Sequence, residues 1–354
     1  MDKRIIFSLL FVVVAVNTFG GNYLSKEISF KNDTITFSAT LTVPQNIKNA
    51  PVAIILSGTG KQDRDGTMAG HKMFADIADY LSSHGIAVLR FDDRGTGKST
   101  GVYETATTEN FAEDGLAALK ALKKRKDINP NKIGMIGHSE GGAAMSIAAA
   151  RCKDIKFMVS LAGLCTDGLH ALIEQNEKQV AAYHLPDYDV KRYNTIDELM
   201  FRVAYKYADS DSLESKLQEA YDKWQAMDSI YFNTLNVQFD HFRFPIYMYK
   251  KQASGPWYRF NIRYNPENYL KDVQIPLLAI NGDKDMMVDS QTNLANWKKY
   301  MPKNSDVTTI EMKGLNHLFL PCQTGFPNEY SSIKEPISSE MLQIICNWIL
   351  SKTK

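Results

Sequence analysis

Gly137-His138-Ser139-Glu140-Gly141 matches the pattern G-x-S-x-G, and an apolar stretch at 133–136 runs straight into it. A run of small residues at 140–150, with helical character, leaves it. The pentapeptide alone is a weak signal, because a plain glycine-rich turn between strand and helix would read the same way. Its context gives it weight. A turn this sharp forces the serine into a strained backbone conformation, and the flanking glycines leave room for strand and helix to approach. The hydroxyl is then presented at a helix N-terminus, where backbone N–H groups and the dipole favour an oxyanion. The chemistry would be attack by Ser139 on a carbonyl carbon.

Such a serine needs a base and a group to orient that base. The chain has seven histidines. His138 adjoins the serine, and neighbouring side chains on such a turn diverge, so it is poorly placed to take the proton. His317 is the only histidine beyond the apolar stretch at 276–281, and it follows a second stretch at 307–312 in Gly314-Leu315-Asn316-His317. The acid candidates are Asp283 and Asp285, in Asn281-Gly282-Asp283-Lys284-Asp285. The chain order Ser, Asp, His is then complete.

The elements that must position these residues alternate. After an expected β-hairpin at 23–43 come strands at 52–56, 86–91, 133–136 and 157–161, with helices near 74–81, 111–122 and 140–150 between them. Continuous apolar strands of this kind suit a parallel sheet covered on both faces. From 166 to 264 the alternation stops. Leu199, Val203 and Tyr207, then Leu213, Leu217, Tyr221 and Trp224, recur at helical spacing, and residues 232–264 are rich in aromatics. Strand–helix order resumes at 276–281 and ends in an amphipathic helix at 338–350.

These features resemble an α/β-hydrolase fold serine esterase with a helical cap, over essentially the whole chain after the hairpin. More narrowly, the sequence is similar to bacterial cap-bearing, EstD-like carboxylesterases. The motifs are Ser57-Gly58-Thr59-Gly60-Lys61-Gln62-Asp63-Arg64-Asp65-Gly66, Asp92-Asp93-Arg94-Gly95-Thr96-Gly97-Lys98-Ser99, Pro256-Trp257, and the turn from Gly282 to Asp285. The resemblance implies Ser139 as nucleophile, His317 as base, and Asp285 as the acid, since the family's acid closes its Gly-x-x-Asp turn. It implies an α/β core at 21–165 and 265–354, interrupted by a helical cap at 166–264. The family's usual His-Gly is Ser57-Gly58 here, which matters little because the oxyanion donor is a backbone N–H. That donor is expected at Thr59, paired with the N–H of Glu140, with Gly60 or Gln62 as alternatives. Trp257 and Tyr258 are the expected pocket residues. The opposite charges in Asp63-Arg64-Asp65 and Asp92-Asp93-Arg94 are read as ion pairs holding the oxyanion loop, in preference to a metal site.

Composition bounds the rest. The chain has 354 residues, 41 Lys plus Arg against 40 Asp plus Glu, 44% hydrophobic and 23% charged residues. This excludes a disordered chain, a coiled coil and a polytopic membrane protein, and argues against a nucleic-acid surface. Asp2-Lys3-Arg4 followed by an apolar run of about 12 residues reads as a signal peptide, too short for a comfortable bilayer span. Cleavage is expected after Gly20, with Gly21 the near alternative, against the competing reading of an uncleaved anchor. The protein is therefore expected to be exported, periplasmic or secreted, with no stable membrane insertion once processed. Cys152, Cys165, Cys322 and Cys346 permit two disulfides without requiring any. The expected function is hydrolysis of small-molecule carboxylic esters through an acyl-enzyme, needing neither cofactor nor metal. The alternatives are a serine peptidase, an acyltransferase or a non-catalytic binding protein.

Overall fold

The computed structural model describes residues 22–354 and, before them, the two-residue strand β1 (Ala15–Val16). The signal peptide expected at 1–20 otherwise lies outside the described residues. A long hairpin, β2 (Tyr23–Asn32) and β3 (Ile35–Pro44), turns at Asp33, whose φ of 51° is in the left-handed region. Next come β4 (Val52–Leu56), the small hairpin β5 (Thr67–Met68) and β6 (His71–Lys72), α1 (Met73–Ser83), β7 (Ala87–Phe91) and α2 (Thr108–Leu122). β8 (Ile133–His138) leads into α3 (Glu140–Arg151), followed by β9 (Met158–Leu161). Five helices follow: α4 (Gly168–Ala182), α5 (Asp187–Tyr207), α6 (Leu213–Asn233), α7 (Ile246–Ala253) and α8 (Pro256–Arg263). The chain closes with α9 (Glu267–Leu270), β10 (Leu277–Gly282), α10 (Ser290–Tyr300), β11 (Val307–Met312) and α11 (Ser339–Lys352).

Among the described residues the main sheet runs β1-β2-β3-β7-β4-β8-β9-β10-β11. Every pairing from β7 to β11 is parallel, and the hairpin end is antiparallel. This is the parallel sheet that the strand–helix alternation predicts, in the α/β-hydrolase architecture that the resemblance implies. The two-residue period of a strand sorts the core into two layers. Val52, Ile54 and Leu56 face the layer built by α2, α3 and α10, whereas Ala53 and Ile55 face the one built by α1 and α11. A strand buried on both faces carries few polar positions, which is why the run at 52–56 reads as uninterrupted apolar sequence.

The segment between β9 and β10 has a separate core of Ile196, Met200, Leu213, Leu217, Trp224 and Phe242, among others. A buried Arg192 on α5 joins its parts. The guanidinium donates to Asp228 on α6 at 2.8 and 2.7 Å and to Asp240 at 2.9 and 2.7 Å, with its face 4.4 Å from the Phe242 ring centroid. The two ends of the segment meet. Gly168 donates its N–H to the Tyr264 carbonyl at 2.9 Å, and a Cβ at Gly168 would lie 1.7 Å from the Asn261 carbonyl oxygen. All four cysteines are unpaired, and Cys165 and Cys346 are buried as small apolar residues.

Loops at the C-terminal ends of β4, β8, β10 and β11 supply residues 57–62, Ser139, Asp283 to Asp285, and Gly314 to His317. The turn from β8 to α3 is closely packed. A Cβ on Gly137 would fall 2.3 Å from the Gly141 carbonyl oxygen, and one on Gly141 would fall 2.2 Å from the Leu56 carbonyl oxygen. Both obstructions are backbone, so neither can give way cheaply. Gly141→Ala is therefore expected to cost about 3 kcal/mol of unfolding free energy in urea titration. A loss within about 0.5 kcal/mol, the scatter of an ordinary surface change, would contradict this packing account.

Candidate active site

Ser139 sits at the head of α3 with φ 55° and ψ −122°, a strained conformation for a residue with a side chain. It lines a cavity of about 230 Å³ together with Gly58, Thr59, His138, Glu140 and His317. Met68, Phe74, Leu164, Leu172, Trp257 and Met287 make most of the wall apolar.

Asp285 and His317 come together across two loops. The His317 ring donates from Nδ1 to Asp285 Oδ2 at 2.7 Å, and both residues are buried. Asp285 also accepts N–H bonds from Met287 at 2.8 Å and Val288 at 2.9 Å on Oδ1, and an amide bond from Asn281 at 3.3 Å on Oδ2. A carboxylate so thoroughly supplied with donors can hold the imidazole in one tautomer, with the proton on Nδ1 and the lone pair on Nε2. Asp283, the other candidate acid, does something else. Its Oδ1 accepts the Gly314 N–H at 2.6 Å and ties the two loops together. The Asn316 side-chain Oδ1 accepts the N–H groups of Leu318 and Leu320, both at 3.0 Å, and shapes the loop behind the imidazole.

Gly58 lies against the serine, since a Cβ there would approach Ser139 Cβ to 2.9 Å. Of the donors considered in this loop, the Gly60 N–H is taken by the Tyr103 hydroxyl at 2.7 Å and the Gln62 N–H by Asp93 at 2.8 Å. Thr59 and Glu140 line the cavity, and among the described residues no acceptor is found for their N–H groups. Asp93 also accepts from the Ser57 hydroxyl at 2.6 Å. Burial pushes the Asp93 carboxyl up to about 7, against the pull of these two bonds. The expected ion pairs are present in part. Arg64 meets Asp92 through two N–H bonds of 3.1 and 2.7 Å, but Arg94 turns away to Asp114 on α2, and Asp65 pairs with Arg90 and Lys72.

Two expectations at the pocket need separating. Trp257 forms part of the wall, presented by α8 one residue after Pro256 at the first helical position. Tyr258 does not reach this cavity. It is buried in the helical segment's own core, with its hydroxyl 2.7 Å from that of Tyr249. Sequence reasoning also passed over three side chains. The Glu140 carboxyl is buried, with bonds to Thr59, Thr108 and Trp257. Tyr103 secures Gly60. His138 packs its ring 4.7 Å from that of His317 and donates from Nε2 to the His317 carbonyl at 3.0 Å.

His138 carries a consequence for acid stability. Burial first, and the adjacent His317 ring second, push it from the ordinary 6.5 down to about 3, with the bond to the His317 carbonyl opposing them. The folded protein thus keeps this ring neutral while the unfolded chain protonates it. Stability is unaffected above the ordinary value and falls as pH drops from 6.5 towards 3. The loss from this one ring approaches about 1.4 kcal/mol per pH unit. His138→Gln is expected to flatten the acid limb of a stability–pH curve by that amount; an unchanged limb would contradict the assignment.

Comparison with known proteins bears on the fold and the class of relative. A Hydrolase_4 family model, described as serine aminopeptidase S33, matches residues 66–222, which include Ser139 and make up less than half the chain. Esterase EstD of Thermotoga maritima is 25% identical over 335 residues, covering 93% of this chain and 69% of that protein. The solved α/β hydrolase GrgF from Penicillium sp. sh18 superposes with a TM-score of 0.54 at 18% identity, over 93% of this chain and 99% of that one. Est1E from Butyrivibrio proteoclasticus, solved with ferulic acid bound, gives 0.50 at 18% identity over 92% and 96%. The chain has the α/β-hydrolase fold and resembles, in sequence, serine hydrolases of the carboxylesterase type such as Esterase EstD.

Proposed function

We propose that the protein hydrolyses small to medium acyl esters through an acyl-enzyme on Ser139. The observation that carries this reading is the 2.7 Å bond from His317 Nδ1 to the buried Asp285, on a ring that lines the same cavity as Ser139. With the proton held at Nδ1, Nε2 takes the hydroxyl proton as Ser139 Oγ attacks the ester carbonyl carbon. The tetrahedral oxyanion is met by the N–H groups of Thr59 and Glu140. Its collapse expels the alcohol, which receives the proton from Nε2. Water then enters, gives a proton to Nε2 and attacks the acyl carbon; release of the acid restores the serine. Asp285 fixes the tautomer and stabilises the imidazolium. No cofactor or metal takes part. Helices α4 to α8 act as the cap, with Trp257 and Leu172 walling the acyl or alcohol arm. The description of the matching family model favours one second reading, a peptidase using the same three residues on an amide.

The test is hydrolysis of p-nitrophenyl esters from acetate to decanoate, with matched anilides alongside. Ser139→Ala and His317→Ala are each expected to lower kcat by about 10⁴-fold or more, and Asp285→Asn by about 10⁴-fold. Anilide turnover without ester turnover would move the assignment to peptidase. Ester turnover that survives in Ser139→Ala would overturn the mechanism.

We further propose that the protein is exported, on the strength of the charged start, the apolar run and the small residues Thr18 and Gly20. N-terminal sequencing of protein recovered outside the cytoplasm is expected to begin at Gly21. An intact Met1 terminus in the membrane fraction would favour the anchor instead.

A further inference from the structure

Glu140 is 3% exposed, and among the described residues no cation pairs with it. Burial pushes its carboxyl up, and hydrogen bonds hold it down. Those bonds come from three separate parts of the chain. Oε1 accepts from the Thr108 hydroxyl at 2.6 Å and from the Trp257 indole N–H at 2.8 Å, while Oε2 accepts from the Thr59 hydroxyl at 2.8 Å. Thr108 is the first residue of α2, set there by a capping box in which Thr107 and Asn110 bond each other. Thr59 lies in the loop against the serine, and Trp257 belongs to the helical segment across the cavity. The backbone carrying all three contacts is the residue directly after Ser139.

We propose that the Glu140 carboxyl is a positioning residue that couples the Trp257 wall to the Thr59 loop, so that seating of the cap and ordering of the oxyanion donor occur together. This rests on the esterase reading above. The chemistry of the partners explains the residue type. An indole N–H can only donate, so it requires an acceptor, and a carboxyl oxygen can accept from it and from a hydroxyl at once. A buried acid without a cation is costly unless its acceptor sites are filled. Swinging Trp257 away therefore leaves Oε1 short of a donor, and the carboxyl settles towards a position that no longer suits Thr59. The Thr59 side chain and its N–H share one residue, so an error at the hydroxyl is carried to the donor.

Gln supplies a discriminating substitution. Its Oε1 can still receive the indole N–H and the Thr108 hydroxyl, and its Nε2 can donate to Thr59, whose hydroxyl rotates to accept. The experiment compares Glu140→Ala and Glu140→Gln with Thr59→Val, Trp257→Phe and their double variant. Each is assayed for kcat and KM on p-nitrophenyl butyrate and for the rate of fluorophosphonate labelling. Glu140→Ala is expected to lose about 100-fold in kcat/KM, of which Glu140→Gln recovers about tenfold or more. Thr59→Val is expected to lose about tenfold, chiefly in kcat, and Trp257→Phe about fivefold, chiefly in KM. The double variant is expected to lose about tenfold, well short of the product of the single losses. Losses that multiply in full, or a Glu140→Gln variant no better than Glu140→Ala, would overturn the coupling. If Glu140→Ala does not fold, the double-variant cycle decides by itself. If the unmodified protein neither turns over nor labels, the esterase reading fails, and the coupling is judged by fluorescence. Trp257 emission, taken as the difference from Trp257→Phe, is then expected to shift in Thr59→Val; an unmoved spectrum would overturn it.

Discussion

The close approach of β8 and α3 is the constraint on which the rest of the site depends. Glycines at 137 and 141 let backbone meet backbone where any Cβ would collide with a carbonyl oxygen. That contact leaves the intervening residue no relaxed conformation, so Ser139 takes φ 55°. The hydroxyl is then lifted above the sheet, and the next residue starts a helix with its N–H free. It also sends the Glu140 side chain back beneath the loop after β4. Nucleophile, donor and the support for the donor loop thus descend from one packing requirement. The strain is held by a sheet whose strands on both sides, β4 and β9, are buried throughout.

Around that turn several acidic and imidazole side chains are buried close together. His138 is desolvated and kept uncharged beside His317, and Asp93 and Glu140 are buried without cations. Asp285 receives N–H bonds from Met287 and Val288 and an amide bond from Asn281. A positive charge forming on His317 would find one nearby anion, oriented along the Nδ1–H bond. It would find no second cation in contact, because the ring stacked against it resists protonation.

Much of this was legible in the sequence, for reasons that differ between residues. Ser139 stands just past β8, a strand buried throughout and so hard to disguise, and His317 follows β11, a half-buried edge strand. Asp283 and Asp285 are separable only through three-dimensional contacts, because both lie in the same turn and one accepts from the Gly314 backbone while the other meets His317. Trp257 and Tyr258 differ for a geometric reason. Successive residues on a helix point about 100° apart, so only one of two neighbours can face a given wall. Arg94 directly follows Asp92 and Asp93, yet it pairs with Asp114, brought near by α2. Glu140 was read for its N–H alone. Its side-chain partners lie at positions 59, 108 and 257, and no local pattern links residues so far apart.

The point where the helical segment leaves and rejoins the sheet has a meaning for descent. Gly168 and Tyr264 are hydrogen-bonded to each other, and Gly168 is pressed onto the Asn261 carbonyl. Everything between is a closed excursion whose ends are tied at one knot, with its own apolar core and its own buried arginine. Residues can be added to or deleted from such an excursion without altering the register of any strand below. Lineages sharing this scaffold are therefore free to exchange the excursion wholesale, provided the knot is kept and something on the far side still offers Glu140 an N–H.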